Sequence, residues 1–92
     1  MNSFGEYLRN RREQLGLPLR KVAAELDIDT SILSKIERSE RDATKEMLPT
    51  LAKTLEIQDK EIQIEFIQST VLSELGDLEF LADGLKNVLK KI

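Results

Sequence analysis

The segment from Thr30 to Arg38 carries the side chains best suited to reading another molecule. Ile32, Leu33 and Ile36 recur at helical spacing and claim one face for a core, which leaves Thr30, Ser31, Ser34, Lys35 and Arg38 on the other. Hydroxyls, an ammonium and a guanidinium are donors and acceptors for base edges and phosphates. They are not a nucleophile with its base, nor a metal-ligand set. The chain has no cysteine and no histidine, so thiolate chemistry, imidazole acid–base catalysis, a zinc finger and a disulfide framework all fall away. Carboxylate pairs such as Glu37 and Glu40 exist, but no pocket-forming segment or activated partner accompanies them. The expectation is a binding protein, not an enzyme, with no metal or other cofactor.

A polar face of this kind can enter the major groove of DNA only if a preceding helix holds it there. Pro18 suits a helix start, and Leu19, Val22, Ala23 and Leu26 mark the apolar face of a helix of roughly nine residues. Asp27-Ile28-Asp29 interrupts the pattern as a turn, with Asp29 as N-cap of the next helix, which ends near Ser39. Arg20 and Lys21 sit against the positive end of the macrodipole, at a cost of ~0.3–1 kcal/mol each. Cations there make sense if the helix end faces a phosphate, which both the dipole and the side chains attract.

The remaining elements frame this pair. Ser3-Phe4-Gly5-Glu6 is a capping box that opens a first helix, with Phe4, Leu8 and Leu15 on its inner face and Gly16 to close it. Thr44 is a plausible N-cap for a fourth helix carrying Leu48, Leu51, Ala52 and Leu55. Pro49 then lies where an amide should already donate, so either the first turn is irregular or the helix begins later. A fifth helix follows Gln58-Asp59, and its Ile62, Ile64, Phe66, Ile67, Val71, Leu72 and Leu75 cover too much of the circumference for one buried side. Gly76-Asp77 reads as a C-cap followed by an N-cap, starting a sixth helix at Leu78.

Length and composition agree with one folded unit: 92 residues, 40% hydrophobic and 34% charged. A core of this size leaves no interior room for a ligand pocket of ~300 Å³ or more. With no basic and apolar leader and no apolar run of membrane-spanning length, a cytoplasmic protein with no membrane partner is expected. The net charge of −3 argues against nucleic acid until its distribution is seen. Residues 1–45 hold nine Lys/Arg against eight Asp/Glu, and residues 46–92 five against nine.

Taken together, residues 4–57 resemble the lambda-repressor-like (Xre/Cro) helix-turn-helix family. Gly5, Leu8, Arg12 and Gly16-Leu17 are similar to its first helix, Val22-Ala23, Leu26, Ile28 and Ile32 to Arg38 to its central pattern, and Leu51-Ala52-Lys53, Leu55 and Ile57 to its fourth. The resemblance implies an all-α bundle of about five helices, with a helix-turn-helix core over residues 1–58 and a C-terminal helical extension over 59–92 in the same structural unit. It implies that Ala23 packs closely on the recognition helix and that Thr30, Ser31 and Lys35 contact bases, to which the exposed face adds Ser34. Arg38 and Arg41 are implied near phosphates, alongside Arg20 and Lys21. Arg12 and Glu37 match a partly buried salt bridge between the first and third helices. Two positions depart from the family: Leu19 stands where Gln is common, and Asp27 where Gly is common in the turn. Asp27 therefore either adopts a left-handed conformation or sits in a slightly different turn. The run Ser34-Lys35-Ile36-Glu37-Arg38, followed by Arg41 and Ala43 to Met47, looks most like regulators encoded beside DNA methyltransferases, the restriction-modification controller type.

Regulators that read palindromic operators need a twofold partner. In the tail, Ile64, Val71, Leu78, Leu85 and Ile92 recur every seven residues, with Ile67, Leu81 and Val88 between them. Glu74 breaks this seam, and Gly76, Asp77 and Gly84 argue against one continuous helix. The expectation is a hairpin of two helices that packs on the domain and on a second copy, with Ile64, Ile67, Val71, Leu78, Leu81, Leu85 and Val88 at the dimer interface. The alternatives are a surface that only completes the monomer core, an antitoxin whose acidic tail binds a second protein, or an interaction module that has lost DNA binding.

Overall fold

A computed structural model describes residues 3–92. It contains α1 (Phe4–Gln14), α2 (Leu19–Glu25), α3 (Thr30–Glu37), a 3-10 turn (Lys45–Met47), α4 (Leu48–Thr54), α5 (Asp59–Leu75) and α6 (Leu81–Lys91), with no strand among the described residues. Ser3 opens α1 by accepting a 3.1 Å hydrogen bond from the Glu6 amide, one half of the expected capping box. The Pro49 question resolves in both senses at once. Lys45–Met47 form an irregular first turn, and α4 proper begins at Leu48 with Pro49 in its first turn, where the missing amide is harmless.

Helices α1 to α4 all end in one geometry. Gly16, Asp27, Ser39 and Glu56 each have φ between 54° and 67°. The amide after each reaches back across the last turn: Leu17 to Arg12, Ile28 to Ala23, Glu40 to Lys35 and Ile57 to Ala52. These are Schellman closures, of which only the first uses glycine. Asp27 thus takes the left-handed option, which stops α2 at seven residues, short of the expected nine. Asp29 and Thr44 occupy N-cap positions, but neither side chain makes the capping hydrogen bond expected of it.

The core gathers Leu8, Val22, Ala23, Leu33, Ile36, Leu51, Leu55, Ile57 and Ile62, so the first turn of α5 belongs to it. Gly5 lets α1 approach the end of α3, because a Cβ there would overlap the Ile36 carbonyl oxygen and lie 2.8 Å from that of Glu37. Phe66 of α5 meets Phe4 edge-on at 5.3 Å and carries the packing onto α1. Beyond this point the tail departs from expectation. Gly76 is the C-cap of α5 as expected, with a right-handed φ of −63°, but Asp77 is not an N-cap, and α6 starts three residues later than Leu78. No residue of α6 is buried, and the tail residues that join the core or pack on it, Ile62 and Phe66, both belong to α5.

Candidate nucleic-acid interface

The first turn of α3 is exposed, and α3 packs against α2. The two are joined by Leu26 to Asp29, whose closure is pinned by the amides of Asp27 and Ile28 bonding to Ala24 and Ala23 at 3.1 Å. Ala23 is 1% exposed, small enough for the two helices to meet closely. On α3, Leu33 and Ile36 are buried and Ile32 packs against the core, while Thr30, Ser31 and Lys35 are exposed and Ser34 is half-buried. Residues four apart share a helix face, so Thr30 with Ser34 and Ser31 with Lys35 form one continuous polar strip. The strip opens at the helix N-terminus, where free amides favour anionic or acceptor groups.

Cations flank this strip. Arg20 and Lys21 are exposed in the first turn of α2, which has no acidic residue to offset them. Arg41 is exposed in the loop after α3. Arg20, Lys21, Lys35 and Arg41 take part in no ion pair among the described residues. Arg38 is exposed as well, but its Nε donates to the Ser34 carbonyl at 3.3 Å and lies 3.4 Å from Glu40. A pair this exposed is worth about 0–1 kcal/mol and yields readily to a phosphate.

Beneath the strip lies a buried ion pair. Arg12 Nε donates to Glu37 Oε2 at 2.8 Å and Arg12 Nη2 to Glu37 Oε1 at 3.0 Å, while Nη1 donates to the Leu17 carbonyl at 2.9 Å. Hydrogen bonding to Glu37 raises the Arg12 pKa against the opposing effect of burial. The pair therefore fixes α1 to the end of α3 with both Glu37 carboxylate oxygens engaged. Adjacent Arg11 does something the sequence reading missed. It donates to the Leu55 carbonyl at 2.8 Å and to that of Glu56 at 3.1 Å, closing the C-terminus of α4. The resemblance singled out Arg12 for Glu37 but gave no partner for Arg11, whose role appears only where the end of α4 meets it.

Tyr7 is the other unanticipated feature. Its hydroxyl is buried without a hydrogen-bond partner, and burial, followed by the charge of Glu61, pushes its pKa up to about 12. Four concavities of about 360 to 460 Å³, above ligand size, lie at the surface. One of about 460 Å³ between α4 and α5 is lined by Leu48, Pro49, Ile62 and Phe66, and one of about 430 Å³ lies where α5 gives way to α6. No helix among the described residues is long and apolar enough to cross a membrane.

The proposed dimer residues divide between the two tail helices and the link between them. Ile64 and Ile67 are exposed and Val71 half-buried on α5; Leu78 is exposed in the link; on α6 Leu81 is half-buried, and Leu85 and Val88 are exposed. No curated protein and no solved structure matches the chain. Residues 8–62, more than half of it, match the helix-turn-helix family HTH_3. That span runs from the inner face of α1 through α2, the left-handed turn and α3 to the last core residue of α5, so the chain belongs to the lambda-repressor-like (Xre) helix-turn-helix family and is a DNA-binding transcription regulator.

Proposed function

We propose that the protein is a homodimeric repressor that occupies a palindromic operator, its own promoter included, in an operon of the restriction-modification or phage type. In this reading α3 enters the major groove. Thr30, Ser31, Ser34 and Lys35 meet base edges, and Arg20, Lys21, Arg38 and Arg41 meet the flanking phosphates. The observation that carries it is the exposed polar strip of α3 with uncompensated cations at the start of α2. Outside an assembly, Arg20 and Lys21 only weaken their helix. Against a phosphate they add to it.

The tail supplies the twofold partner, through Ile64, Ile67, Val71, Leu78, Leu81, Leu85 and Val88. A second reading has the same surface bind a different protein, as an antitoxin would, or act as an interaction module. The exposed apolar stripe of α6 favours some protein partner in either case.

The test is fluorescence-anisotropy binding to the duplex upstream of the protein's own gene against a scrambled duplex, at two salt concentrations. Specific binding should fall steeply with salt, and Lys35→Ala should lose about 1–3 kcal/mol of discrimination. Equal weak binding to both duplexes, unchanged by Lys35→Ala, overturns autoregulation and leaves the tail-partner reading.

A further inference from the structure

We infer that Asp29 is a base-reading residue, whose carboxylate selects cytosine through its exocyclic N4 amine at one position of the DNA site. The inference rests on the reading in which α3 enters the major groove, and adds a residue and a base to it.

Asp29 is the N-cap of α3, at the tip from which the polar strip of Thr30, Ser31, Ser34 and Lys35 opens. A recognition helix meets base edges with its N-terminal residues, so the residue at the tip is among the first to arrive. The Asp29 backbone takes its part in the helix, its carbonyl accepting from the Ile32 and Leu33 amides at 3.0 and 3.2 Å. The side chain does not. It is exposed and makes no capping hydrogen bond. It also joins no ion pair among the described residues, although Arg20, Lys21 and Lys35 stand unpaired on the same surface. A cap and an ion pair are the ordinary uses of an aspartate in this place, and neither is made.

A free carboxylate on a surface that binds a polyanion opposes every phosphate it nears. It gains only from a donor. The base edges of the major groove offer two, the N6 amine of adenine and the N4 amine of cytosine. Adenine sets its N7 acceptor beside that amine and so repels a carboxylate, whereas cytosine carries no acceptor next to its own. Guanine presents two acceptors, and thymine an acceptor and a methyl group. Asp29 therefore discriminates in both directions, accepting from cytosine and facing unpaired acceptors on the wrong base. Lys35, a donor with no acceptor, has the opposite preference, for guanine. The hydroxyls of Thr30 and Ser31 donate or accept, so the two charged side chains are the ones that fix a base.

An acid at the start of a helix also suits the macrodipole, so the experiment must separate base reading from helix stability and from overall charge. Duplexes selected by the full chain from a randomised pool give the base preference at each position for the wild type, Asp29→Asn, Asp29→Ser and Asp27→Asn. Asparagine and serine are good N-caps, so both Asp29 variants keep α3, as urea unfolding checks. Asp27→Asn removes the same charge from the turn, where asparagine tolerates the left-handed φ of 56°. The wild type should favour cytosine at one position, and both Asp29 variants should lose about tenfold or more of that preference with the other positions unchanged. Asp27→Asn should bind every duplex more tightly and keep the preference. Asp29 variants with the wild-type preference at every position overturn the proposal, and so does a uniform gain in affinity, which is charge alone. Loss of an adenine preference overturns the choice of base. In each of these cases the entry of α3 into the groove stands if Lys35→Ala loses discrimination; a wild type without base preference overturns both.

Discussion

The Arg12–Glu37 pair sits at the one place where α1 and α3 are held by charge as well as by apolar contact. Both side chains are largely out of water, at 14% and 6% exposure, and Glu37 has no other side-chain partner among the described residues. Glu37→Ala leaves the Arg12 guanidinium buried without its carboxylate, so it should destabilise the fold by about 3 kcal/mol, measured by urea unfolding. A loss under half a kcal/mol would mean that Arg12 swings out to solvent. Tyr7 gives a second residue-level test, because it is the only tyrosine and the chain has no tryptophan. Its folded-state pKa of about 12 lies above the free value of 10.0, so the folded state holds the proton more tightly. The stability this contributes is complete below pH 10 and is lost as pH rises towards 12. Ultraviolet titration of the phenolate should show a midpoint well above that of the denatured chain; coincident midpoints would place the hydroxyl in solvent.

At the scale of the element, the repeated closure of α1 to α4 sets where each helix stops and therefore where α3 begins to point. Ser39 and Glu56 adopt φ of 63° and 54°; the Ser39 hydroxyl donates to that of Ser3 at 2.7 Å, whereas the Glu56 carboxylate makes no ion pair among the described residues. A left-handed non-glycine residue costs about 1–2 kcal/mol, and glycine gives back part of that through unfolded-state entropy. Glu56→Gly should therefore stabilise the protein by about 0.5–1 kcal/mol, with the denaturant slope unchanged, and Ser39→Gly by less, because it gives up the hydroxyl contact with Ser3. Asp27→Gly should behave alike and would restore the residue common in the family's turn; a loss of DNA binding in that variant would show that Asp27 does more than turn the chain.

The whole molecule is elongated, 41 Å by 24 Å by 22 Å, because the core ends at Ile62 and the tail runs on beyond it. Core and tail therefore have separable duties. A chain stopped after Leu75 keeps every core residue and should unfold cooperatively at a similar temperature. In the dimer reading it should bind operator DNA about tenfold or more weakly, since each half-site must then be occupied by an independent molecule. Unchanged operator affinity would remove the tail from DNA recognition altogether.

Much of this was readable from the residues alone. Helical spacing of Leu8, Val22, Leu33, Ile36 and Leu51 determined the all-α class and the core, because an apolar stripe has only one direction to face. Subtracting that stripe exposed the polar strip of α3 and its flanking cations. The partners of side chains and the ends of helices were decided otherwise. The Arg12–Glu37 pair was legible through the family resemblance, but the partner of Arg11 was not, because the Leu55 and Glu56 carbonyls reach it from a distant helix end. The left-handed turn at Asp27, the irregular turn before Pro49 and the missing cap at Asp77 were settled by backbone geometry that spacing does not encode. Spacing encodes direction along one helix; it does not encode the distance to a neighbouring one. That distance exists only once Gly5, Ala23 and Ile62 have brought the helices together.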